Sequence, residues 1–166
     1  STTFGCPFEG DIALSEVERL ARLFASAGAA GITLCDTTGM AYPTQVADLA
    51  ASLAALLPAS TPLTLHLHNT RGMALANALA AWQVGMRRFD GAVGGLGGCP
   101  YAPGASGNAS TEELVHMFDC MGVDTGVSLA PLLEVVATLP RLVAREVPSQ
   151  LLAAGPRLRT HPAPGR

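Results

Sequence analysis

The sequence predicts an α/β fold built on a parallel sheet, and three observations lead there. Short apolar runs alternate with longer amphipathic ones, the rhythm of βαβ units. Hydrophobic residues make up 49% of the chain and charged residues 14%, the balance of strands buried on both faces. Each apolar run is followed by a polar or glycine-rich cluster: Asp36-Thr37-Thr38, His68-Asn69-Thr70 and the stretch 94–108. In parallel α/β folds the loops at the strand C-terminal ends carry the active site, so three such loops in succession argue for one shared site.

The elements follow in order. Residues 15–27 read as a helix: Ser15 and Glu18 have capping-box spacing, Gly28 is a stop, and Val17, Leu20, Ala21 and Phe24 form one stripe. Residues 30–35 read as a buried strand. Residues 44–57 read as a helix, with Pro43 at its start and Pro58 at its end. Residues 63–68 form the second strand, 72–84 a helix closed by Gly85, and 88–93 the third strand. A second capping box, Ser110 with Glu113, opens a helix over 110–121, and 129–146 is helical despite Pro131 and Pro140. This places a domain at 1–147 and a proline-rich, linker-like tail at 148–166.

Several function classes fall away. The net charge is −3 and no basic run exists, so nucleic acid is not an expected partner. No apolar stretch approaches the ~18 residues of a membrane span, and the start at Ser1 has no signal-like core. Cys6, Cys35, Cys99 and Cys120 form no Cys-x-x-Cys, which predicts reduced thiols and a cytoplasmic setting.

Residues 94–108 hold six glycines, two prolines, one cysteine and no charge. Glycine costs backbone entropy and proline lacks a donor, so this is neither helix nor strand. It reads as a neutral lid carrying the thiol of Cys99, or as a plain connector. His66 and His68 stand two apart on a strand and share a face. Two imidazoles so placed suit a divalent metal, or make a hydrogen-bonded pair. Asp36 either holds its own turn or works as a site carboxylate, as base or as partner of a substrate hydroxyl. Asn108 is a cap or turn residue, or a hard amide ligand for magnesium or manganese. His116 and His161 are expected to have no functional role.

The runs Gly95-Leu96-Gly97-Gly98-Cys99-Pro100-Tyr101-Ala102 and Gly104-Ala105-Ser106-Gly107-Asn108 resemble the 3-hydroxy-3-methylglutaryl-CoA (HMG-CoA) lyase family. So do Phe4-Gly5-Cys6-Pro7-Phe8-Glu9-Gly10, Asp36-Thr37-Thr38-Gly39, His66-Leu67-His68-Asn69-Thr70, Ala74-Leu75-Ala76-Asn77 and Thr111-Glu112-Glu113-Leu114-Val115. The likeness runs from about Phe4 to about Leu142. It implies a (β/α)8 barrel, of which a complete copy takes about 250 residues, so only the later part is present. It implies cleavage of a 3-hydroxyacyl-CoA, with acetyl-CoA as one product, by a homodimer.

The resemblance further implies a Mg2+ or Mn2+ ion held by His66, His68 and Asn108. It makes Cys99 the lid cysteine, flanked by Gly97, Gly98, Gly104 and Gly107. It makes Asp36 the site aspartate, with Thr37 beside it against the substrate. Asp36, with His66, is the candidate acceptor of the hydroxyl proton, and Cys99 the candidate donor to the acetyl-CoA enolate. The chain departs from the family at Asn69, where an aspartate is usual, and along Asp90-Gly91-Ala92-Val93-Gly94, where serines and an alanine are typical. It also lacks the family's fourth metal ligand and the arginine before it. These departures leave open a related substrate such as citramalyl-CoA, or a non-catalytic half-barrel.

Overall fold

A computed structural model describes residues 1–98, 104 and 107–160. The chain opens with a two-stranded antiparallel hairpin, β1 (Gly5–Cys6) and β2 (Gly10–Asp11). There follow α1 (Leu14–Ser26), β3 (Ile32–Asp36), α2 (Pro43–Leu56), β4 (Leu63–Leu67), α3 (Ala74–Gln83) and β5 (Phe89–Asp90). Helices α4 (Thr111–Cys120), α5 (Leu129–Val143) and α6 (Gln150–Ala154) complete the order. Strands β3, β4 and β5 form one parallel sheet in sequence order, as the alternation predicts.

Register sets the two faces of that sheet. Leu34 pairs with Leu65 and Asp36 with Leu67, while Cys35 pairs with His66 and His66 with Asp90. Neighbouring partners point the same way and successive residues alternate. The Leu34, Leu65, Leu67 face is buried in the core with Val46, Leu49 and Leu53 of α2 and Ala78 and Ala81 of α3. Leu53 is fully buried, so Leu53→Ala costs about 2–5 kcal/mol. On β5, Phe89 packs its ring 5.3 Å from Phe118 of α4, which sends the next residue, Asp90, to the opposite face.

Neither predicted capping box forms. Helix α1 begins one residue early, after Ala13, which puts Ser15 inside it; Glu18 instead accepts the Ser52 hydroxyl of α2. Ser110 does precede α4, but its side chain makes no capping bond, and the Glu113 carboxylate accepts from the Gln150 amide at 2.7 Å. The third strand is shorter than predicted. Past Asp90, Ala92 instead bonds across to Ala109 and Thr111, and a tight turn follows at Val93–Gly95.

The segment after Pro148 is not a plain linker. Ser149 caps α6 by accepting from the Leu152 amide at 3.2 Å, and Ser149 itself is buried. The Arg157 amide then donates to His116 Nε2 at 3.0 Å, giving that histidine a structural role. His161 lies outside the described residues.

Candidate active site

The site sits at the C-terminal end of β4. His66 and His68 leave the sheet on one face, their ring centroids 5.3 Å apart in an edge arrangement. Just past the strand, His68 makes an isolated antiparallel bridge with Asn108. Two backbone bonds flank it: Asn69 N–H donates to Gly107 O at 3.0 Å, and Ala109 N–H to Leu67 O at 2.8 Å. The far end of the glycine-rich loop thus runs back along β4 and delivers Asn108 to the histidines.

Asn108 is locked from its other side. Its Nδ2 donates to Leu96 O at 2.7 Å, which fixes the amide and turns Oδ1 away. Oδ1 is buried with no partner among the described residues. Gly97, at φ 120°, lies so close that a Cβ there would run into the Asn108 amide. Gly107, at φ 116°, packs directly on Gly95 O, so both glycines are required by space as well as by backbone.

His68 is 6% exposed, and its Nδ1 is likewise buried without a partner among the described residues. Burial, and secondly the nearby His66, hold its pKa below the ordinary histidine value of 6.5, which favours the neutral, lone-pair-bearing ring. These two orphaned acceptors stand on residues that face each other across one bridge, where one ligand can meet both. Two imidazoles and an amide oxygen fit a divalent cation, so the residues present suit the ion implied by the sequence. Among the described residues no cluster of three or more His, Cys, Asp or Glu side chains forms. The donor set here is therefore partial.

Asp36 stands apart. Its register partner is Leu67, one residue out of phase with His66 and His68, so it faces the helix layer. Oδ1 accepts from the Met40 and Ala41 amides at 2.8 and 3.1 Å, and the residue is 1% exposed. Burial pushes its pKa up, against the pull of those amides and of Arg71. Oδ1 thus meets the turn-holding reading of Asp36, while Oδ2 is buried with no partner among the described residues. Thr37 is engaged too, its hydroxyl accepting from the Thr2 amide at 2.9 Å. Arg71 braces this turn from the next loop, donating to Thr38 O and Gly39 O at 3.1 and 2.8 Å.

The altered residue Asn69 keeps a local job: its Oδ1 accepts from Ala74 N–H at 3.2 Å and opens α3, as an aspartate would. Cys99 lies outside the described residues; Gly98 and Gly104 on either side of it are exposed.

Sequence reading missed two acids. Asp90 hydrogen-bonds His66 Nδ1, and the signal was its place on a strand of period two. Glu112, wholly buried, accepts from Gly94 N–H at 3.0 Å and anchors the start of the glycine-rich loop to α4. No local pattern marks that bond, because the partners are 18 residues apart.

Residues 1–139 match the HMGL-like family model. The chain belongs to the HMGL-like family. It is 49% identical over 153 residues to the (R)-citramalyl-CoA lyase of Chloroflexus aurantiacus, covering 92% of this chain and 48% of that protein. It is 45% identical over 152 residues to the hydroxymethylglutaryl-CoA lyase YngG of Bacillus subtilis, covering 92% and 50%. An Acinetobacter baumannii HMG-CoA lyase, solved in complex with coenzyme A and 3-methylmalate, superposes with a TM-score of 0.93 at 52% identity. That match covers 98% of this chain and 53% of the other. The chain spans about half the length of these relatives. The three-stranded sheet and its helices are accordingly part of a (β/α)8 barrel.

Proposed function

We propose that the complete polypeptide containing this chain is a carbon–carbon lyase that cleaves HMG-CoA to acetoacetate and acetyl-CoA. His66, His68 and Asn108 hold its divalent cation. The observation that carries this reading is the pair of buried, unpartnered atoms, His68 Nδ1 and Asn108 Oδ1, across one bridge. A Mg2+ or Mn2+ ion bound there supplies Lewis-acid polarisation of the substrate's hydroxyl and carbonyl oxygens.

The reaction removes the proton of the tertiary hydroxyl and breaks the bond between the carbinol carbon and the methylene beside the thioester. The hydroxyl carbon becomes the ketone of acetoacetate. The electron pair of the broken bond passes to acetyl-CoA as its enolate, which then takes a proton on carbon. His66 is committed to the cation, so the hydroxyl proton goes to Asp36, whose Oδ2 has no partner among the described residues, or to a residue of the remaining barrel. Cys99, on a loop anchored by Glu112 at one end and Asn108 at the other, is the proposed donor to the enolate.

The (R)-citramalyl-CoA lyase relative supports a second substrate of the same chemistry, citramalyl-CoA, whose cleavage yields pyruvate and acetyl-CoA. The test offers each thioester to the complete polypeptide with Mg2+ or Mn2+ and follows acetyl-CoA together with acetoacetate or pyruvate. Metal-dependent acetoacetate release supports the first reading, and pyruvate release the second. Release of acetyl-CoA from neither leaves the half-barrel as a non-catalytic module. A cytoplasmic setting is part of the same proposal and rests on the cysteine spacing of the sequence.

A further inference from the structure

His66 and His68 differ in what holds them. The His68 Nδ1 has no partner among the described residues, whereas His66 Nδ1 is hydrogen-bonded to Asp90 Oδ1. The bond is built by the sheet. Asp90 is the register partner of His66 on the adjacent parallel strand, and Phe89, packed on Phe118, turns Asp90 to the histidine face. A neutral imidazole carries one N–H and one lone pair. A carboxylate accepts only, so Asp90 draws the proton to Nδ1 and leaves the lone pair on Nε2. Carboxylates behind metal-bound histidines commonly act this way.

We propose that Asp90 is a positioning residue that holds His66 in its Nδ1–H tautomer, fixes the ring, and so presents Nε2 to the cation. The inference rests on the cation-site reading above. Asp90 acts through His66.

The test uses the complete polypeptide labelled with 15N-histidine, with Asp90→Ala and Asp90→Asn beside the wild type. The first readout is the tautomer of His66 without metal. The wild type shows Nδ1–H with a bare Nε2, and Asp90→Ala shows a mixture. The second readout is Mn2+ titration followed by water-proton relaxation. Asp90→Ala binds Mn2+ roughly 10–100-fold more weakly, and Asp90→Asn, whose amide oxygen still accepts, falls between. An unchanged His66 tautomer, or Mn2+ affinity equal to wild type in Asp90→Ala, overturns the proposal. Should that variant fail to fold, wild-type affinity in Asp90→Asn overturns it equally. A wild type that binds no Mn2+ sinks the cation-site reading instead, while the tautomer still decides what Asp90 does.

Discussion

His68 Nδ1 and Asn108 Oδ1 are buried, unpartnered atoms on two residues that face each other across a single antiparallel bridge. Buried polar groups in folded proteins are nearly always satisfied, and the proposed cation would satisfy both atoms at once. Replacing His68 by Gln removes an imidazole while keeping a polar side chain. The expected result is at least a tenfold loss of Mn2+ affinity, about 1.4 kcal/mol, with little change in the metal-free melting temperature. A variant that melts early yet binds Mn2+ normally contradicts the ligand role.

Gly97 sets the position of Asn108. Its φ of 120° is outside the range of ordinary side chains, and a Cβ would strike the Asn108 amide. Gly97→Ala is expected to cost about 1–3 kcal/mol in backbone strain and to weaken Mn2+ binding by dislodging Asn108. Urea unfolding and Mn2+ titration on the same sample check both. Strain without loss of metal affinity shows that the ion does not depend on Asn108.

Asp36 makes stability depend on pH. Its folded pKa lies above the ordinary 3.8, chiefly through burial, so the folded state holds that proton more tightly than the unfolded chain. Stability from this group is therefore full at low pH and falls as pH rises from 3.8 through the raised value. Asp36→Asn keeps an oxygen for the Met40 and Ala41 amides and loses the charge. Over this window the wild type loses stability relative to the variant. Urea midpoints of both proteins across about pH 3.5 to 7 measure it, and a constant difference refutes it.

Removing residues 148–166 from the complete polypeptide tests whether the C-terminal segment is structural. The cut removes the Gln150 amide from the buried Glu113 carboxylate and the Arg157 amide from His116. A group left unsatisfied in this way costs about 1–3 kcal/mol. A lower melting temperature is expected, and an unchanged one restores the linker reading.

The thiol of Cys99 is tested by kinetics. If it protonates the enolate, Cys99→Ala lowers kcat by about 10²–10⁴-fold with Mn2+ affinity intact. Unchanged turnover removes the thiol from the reaction.

Much of the architecture could be read along the chain, because strand and helix periods are local. The three strands and most helices lie within a few residues of their sequence positions, and β5 is short because Gly91 and Ala92 bend to meet Ala109. The capping boxes failed for a non-local reason. Glu18 and Glu113 found partners in Ser52 and Gln150, which no window of four residues contains.

The βαβ order, the family, and the shared face of His66 and His68 are legible along the chain, since residues two apart on any strand point one way. The face that Asp36 takes depends on its register with Leu67, which is set only when the strands pair. Folding likewise joins Asp90 to His66 and Asn108 to His68, 24 and 40 positions apart in the chain. Those pairings come from adjacent strands and a returning loop, where distance in space bears no relation to distance in sequence.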